Sequence, residues 1–112
     1  MNHAISPQIL LAIRDLKRLL GDAFGERLRE VRLFGSMARG EATPDSDVDV
    51  LIVLDQIQCH AERIRASDAA FDAGFPHHLA LSPLVLGADE LERLRRWETA
   101  LAKAIDRDGI PL

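Results

Sequence analysis

The chain has 112 residues, 47% of them hydrophobic and 29% charged, and a net charge of −4 with its histidines neutral. This is the composition of an ordinary folded protein, and the length suits one domain over residues 1–112 with a core of useful size. An acidic balance with no basic run at either end argues against a tight, sequence-independent grip on nucleic acid, and the single Cys59 fits a reducing compartment. With no leader-like segment and no apolar stretch of membrane length, the cytoplasm is the default location.

Ser6-Pro7 reads as a helix start, and Ile9, Leu10, Ile13, Leu16, Leu20 and Phe24 recur behind it at helical spacing. Gly25 ends that helix. Residues 27–34 carry Leu28, Val31, Leu33 and Phe34 into a first strand, and Arg27, Arg29 and Arg32, interspersed with Glu26 and Glu30, read as solvated charges flanking an edge.

Gly35-Ser36 breaks this strand, and Met37-Ala38-Arg39 starts a short helix capped by Ser36. A strand feeding a helix N-terminus leaves backbone N–H groups unpaired and favours an anion there. Gly35 lets the backbone approach a phosphate, Ser36 offers a hydroxyl and Arg39 a permanent charge, so these three are the candidate nucleotide-binding residues. After a polar loop the run Val48, Val50, Leu51, Ile52, Val53, Leu54 forms a second strand, and alternation turns Asp47 and Asp49 to one face. Two crowded carboxylates are most easily kept ionised by a shared cation, and this hard oxygen pair suits Mg²⁺ beside substrate phosphates.

A helix follows from about Gln58 to Ala73, with a weaker apolar face of Ala61, Ile64, Ala70 and Phe71. Cys59 reads as a small packing residue and His60 as a surface histidine. Gly74-Phe75-Pro76 breaks the helix, and residues 77–86 form a third strand that Pro83 marks as bent or at an edge. From Ala88 one amphipathic helix places Leu91, Leu94, Trp97, Leu101 and Ile105 on its buried stripe, with core favoured over interface for Trp97.

Gly35-Ser36, ten residues, then Asp47-x-Asp49 resembles the signature of the nucleotidyltransferase superfamily that includes DNA polymerase β. The fuller Gly35-Ser36-Met37-Ala38-Arg39-Gly40 and Ser46-Asp47-Val48-Asp49-Val50, with the Asp-Gly-Ile-Pro-Leu close from Asp108, resemble the minimal nucleotidyltransferases of prokaryotes over nearly the whole chain. The resemblance implies an α+β fold, a small mixed sheet of three or slightly more strands flanked by about four helices. It also implies transfer of a nucleoside monophosphate from ATP or another triphosphate, with Asp47 and Asp49 as catalytic and Mg²⁺-holding residues. Relatives of this size commonly pair with a HEPN-type toxin, which the antitoxin neutralises by transferring AMP to a hydroxyl or by binding. Transfer to a small molecule is the weakest reading, because it normally calls for a further substrate module. One departure stands out: a third acid usual on the following strand falls at Ala80 here, and no acid occurs between Ala73 and Gly87; His78, taken to share strand parity with Ala80, is a candidate substitute base, although a histidine at a strand start more often has a solvent or capping role. Base preference, acceptor identity and oligomeric state, a homo-oligomer included, stay open.

Overall fold

The computed structural model describes residues 7–34, 48–97, 100–108 and 110–111. Helix α1 (Pro7–Phe24) presents Ile9, Ala12, Ile13, Leu16, Leu20 and Phe24 as one buried stripe. Gly25, at a φ of +58°, opens a one-turn 3-10 segment to Arg27 that leads into β1 (Leu28–Phe34). A positive φ is cheap for glycine and costly for other residues, which is why the helix stops there.

β2 (Val48–Leu54) pairs antiparallel with β1, and helix α2 (His60–Gly74) carries the chain over to β3 (Leu81–Gly87), which runs parallel to β2. Parallel neighbours need such a crossover. Helices α3 (Ala88–Arg96) and α4 (Ala100–Asp108) follow, and the two-residue β4 (Ile110–Pro111) adds to the far side of β1. Among the described residues the sheet order is β3-β2-β1-β4, a four-stranded mixed sheet with four helices, in keeping with the expected class. Pro83 lies on an edge strand, as its missing N–H demands.

The sheet is covered on both faces. Val31, Leu33, Val48, Val50, Ile52, Leu54, Leu81 and Val85 pack with α1 and α2, while Leu51, Val53 and Leu86 pack with Leu91 of α3 and Ile105 of α4. β2 is therefore buried on both sides, and its sequence is a continuous aliphatic run rather than an alternating one.

Several expectations are corrected. The stripe from Leu91 to Ile105 does not lie on one helix: α3 stops at Arg96, Trp97 is 76% exposed, and Leu101 is exposed as well. The third strand begins at Leu81 rather than residue 77, because Phe75–His77 forms a 3-10 turn and His78 takes a left-handed conformation at φ 57°. The buried face of α2 is Glu62, Ala66, Ala69, Ala70, Ala73 and Gly74, so Ile64 and Phe71 point outward. Cys59 is exposed at the start of that helix, not packed.

Arg27 is not a loose solvated charge. Its guanidinium donates to Glu62 at 2.5 and 3.1 Å, to Asp55 at 3.1 Å and to the Gln56 carbonyl at 2.8 Å. These bonds tie the entry of β1 to the exit of β2 and to α2. The Arg27 hydrogen bond, helped by the Gln58 N–H at 2.7 Å, holds the Glu62 carboxyl at about 2, well below its ordinary 4.5. A second clasp joins α2 to the β3–α3 corner: Arg63 donates to the Val85 carbonyl at 2.6 Å and to both oxygens of Glu90 at 2.8 Å, and Glu90 also accepts the Gly87 N–H at 2.9 Å. Burial pushes the Glu90 carboxyl up, but the Gly87 and Arg63 bonds outweigh it and leave it below its usual range.

Candidate functional site

Asp49 is the one β2 residue that is not fully buried. It alternates with Val48 and Val50, which face α1 and α2, and so shares the face of Leu51 and Val53 on the α3 and α4 side. Its antiparallel partner is Phe34, the last residue of β1, and its parallel partner is Ser82 on β3. The carboxylate thus sits at one end of the central strand, on a rigid ladder, with an exposed hydroxyl as its cross-strand neighbour. The Val48 N–H donates to the Ala80 carbonyl at 2.9 Å, which fixes the β2–β3 register at this end.

Gly35, Ser36, Arg39 and Asp47 lie outside the described residues. Asp49 is the site residue whose placement the structure gives, and among the described residues no group of three or more His, Cys, Asp or Glu gathers as a metal cage. Ala80 precedes β3 and is exposed. His78 is also off the strand, in its left-handed turn, so strand parity does not aim it at Asp49 and that expectation fails.

Reading single strands missed Ser82. The signal was available in principle, because a parallel pairing that sets Val48 against Leu81 sets Asp49 against Ser82. What the sequence lacks is any local mark of that register. The Arg27–Glu62 cluster lies at the opposite end of the sheet, where Leu28 pairs with Leu54, and plays no part at the Asp49 end.

Residues 13–103 match the family model described as a nucleotidyltransferase domain. The chain belongs to the nucleotidyltransferase domain family. A candidate protein adenylyltransferase of Methanocaldococcus jannaschii is 30% identical over 78 residues, which are 70% of this chain and 79% of that protein. The protein adenylyltransferase MntA of Thermococcus cleftensis is 49% identical over 41 residues, 37% of this chain and 39% of MntA. Among solved structures, a candidate nucleotidyltransferase from Sulfolobus solfataricus superposes with a TM-score of 0.59 at 22% identity, covering 99% of this chain and 86% of that one, which shows a shared fold. Within this nucleotidyltransferase the Asp49 end of the sheet is the candidate active site. Among the described residues no helix is long and apolar enough to cross a membrane.

Proposed function

We propose that this nucleotidyltransferase transfers AMP from ATP to a hydroxyl of a partner protein, as the antitoxin of a HEPN-type pair in the cytoplasm. The observation that carries the reading is Asp49, an acid held half-buried at the end of a strand otherwise aliphatic throughout. The relatives named as adenylyltransferases of proteins support the acceptor class.

In this reading Gly35 and Ser36 hold the triphosphate through backbone N–H groups and a hydroxyl, and Arg39 neutralises part of its charge. Asp49, with Asp47, offers the hard oxygen donors that suit Mg²⁺, and the Ser82 hydroxyl is a further oxygen of the same kind on the neighbouring strand. A bound Mg²⁺ would supply charge neutralisation to the phosphates. The acceptor hydroxyl gives its proton to solvent as its oxygen bonds to the α-phosphorus, the bond from that phosphorus to the oxygen bridging to the β-phosphate breaks, and pyrophosphate leaves. β3 brings no carboxylate to take the acceptor proton, so the step rests on positioning and is slower by ~10²–10⁴-fold than one with a placed base.

A second reading, neutralisation of the partner by binding without transfer, is favoured by one observation: Ser82, not an acid, faces Asp49. The two are separated by incubating the protein with labelled ATP, Mg²⁺ and the protein encoded beside it, and repeating with Asp47→Asn and Asp49→Asn. Label on the neighbour that disappears in both variants supports transfer. A complex without label in all three supports binding. Neither label nor complex overturns the antitoxin assignment.

A further inference from the structure

Helix α2 is apolar on the wrong side as well as the right one. Its core face is lined by alanines, yet Ile64, Phe71 and Phe75 on and just past the helix are 50%, 66% and 69% exposed, at positions i, i+7 and i+11, diametrically away from the core. Phe71 and Phe75 pack ring to ring with centroids 5.8 Å apart, and their stripe runs into a groove of about 490 Å³ lined by Phe71, Phe75, His78, Leu79, Ala80 and Leu81. A surface helix ordinarily keeps this face polar, and one that is apolar all round is normally covered.

We propose that this stripe and groove dock an amphipathic helix of a partner protein that carries an apolar spine flanked by Lys and Arg. The charge pattern selects that occupant. Asp68 and Asp72 stand exposed beside the stripe and have no ion-pair partner among the described residues. The nearby cations do not neutralise them, because Arg63 is held by Val85 and Glu90 and Arg65 lies over the Phe24 ring. A second copy of this chain, packed by two-fold symmetry through the same stripe, would bring these acids against each other, whereas basic flanks meet them. The stripe spans about 16 Å, roughly three helical turns, which matches the anchor spacing of a helix laid in a groove.

The surface also leads to the site. Ala80 and Leu81 are part of the groove lining, and the Ala80 carbonyl takes the N–H of Val48, the residue before Asp49. A helix seated there lies beside the strand pair that carries the candidate site. The partner's role as acceptor rests on the proposed function, but the surface itself is tested without nucleotide.

The probe is a labelled synthetic helical peptide with leucines at heptad a and d positions and Lys or Arg flanks, compared by fluorescence anisotropy with the same peptide carrying Glu flanks. The basic peptide is expected to bind at least about ten-fold tighter than the acidic one. Phe71→Ser with Phe75→Ser should weaken it by about ten-fold or more with circular dichroism unchanged, and Asp68→Lys with Asp72→Lys should invert the preference between peptides. Equal binding of both peptides, no binding of either, or affinity unmoved by these changes overturns the proposal. So does a wild-type dimer in light scattering that the two serines convert to monomer, since the occupant is then a second copy. Because no nucleotide enters this assay, a failure here and a failure of AMP transfer are read separately.

Discussion

Asp49 and Ser82 are direct partners in the parallel pairing of β2 with β3, so carboxylate and hydroxyl point from adjacent strands to the same face. An acid placed at Ser82 therefore stands beside Asp49 without any backbone change. Ser82→Asp is expected to tighten Mn²⁺ binding by about ten-fold, because affinity for hard cations rises with the number of charged oxygens offered. Isothermal titration of wild type and variant checks it, and unchanged affinity would show that the ion is held elsewhere.

Gly74 and Gly21 make a contrasting pair. A Cβ at Gly74 would meet the Leu79 carbonyl oxygen at 2.5 Å, in a turn already closed by the Leu79 N–H to Gly74 carbonyl bond of 3.0 Å. Gly74→Ala should destabilise by about 1–3 kcal/mol. Gly21, inside α1, has nothing within 4 Å of the added carbon, so Gly21→Ala should stabilise by about 0.5–1 kcal/mol. Urea midpoints measured side by side give both signs.

Acid should loosen the Arg27–Glu62 tie. The folded carboxyl titrates at about 2 against 4.5 for its ordinary value, so its contribution is complete above 4.5 and declines as the pH falls through that window. Thermal midpoints between pH 6 and 2 should fall for wild type. In Glu62→Gln, which keeps the shape but cannot gain the proton, the fall should be shallower, and identical slopes would exclude Glu62 as the titrating group.

The break after α3 separates two residues of what reads as one stripe. Trp97 is exposed, and Trp97→Ala should shift stability by less than about 0.5 kcal/mol. Ile105 is fully buried against Leu51 and Val53, and Ile105→Ala should cost about 2–5 kcal/mol. Denaturant unfolding of the two variants distinguishes this arrangement from a continuous helix, in which both would be costly.

These residues also show where the sequence is readable. α1 and β2 are plain in it, because a stripe at helical spacing and an uninterrupted aliphatic run leave little choice of structure. The α3–α4 break is not, since no glycine or proline marks it and the spacing of Leu91, Leu94, Trp97, Leu101 and Ile105 carries on across it. The Arg27–Glu62 pair joins residues 35 apart in the chain, and only the folded topology brings them together. Asp49 was legible as a candidate because its charge interrupts an apolar strand, while its neighbour Ser82 was not, because an exposed serine in an edge strand has no distinguishing pattern of its own.

β2 is hydrogen-bonded to a neighbour along both of its edges and wrapped in side chains above and below. A slip of one residue would throw its whole aliphatic set to the wrong sides and swing the acid to the opposite surface. The aim of that acid is thus inherited from the ladder rather than tuned by a loop. Variation among molecules built this way can then be confined to what they greet and still leave the aim untouched.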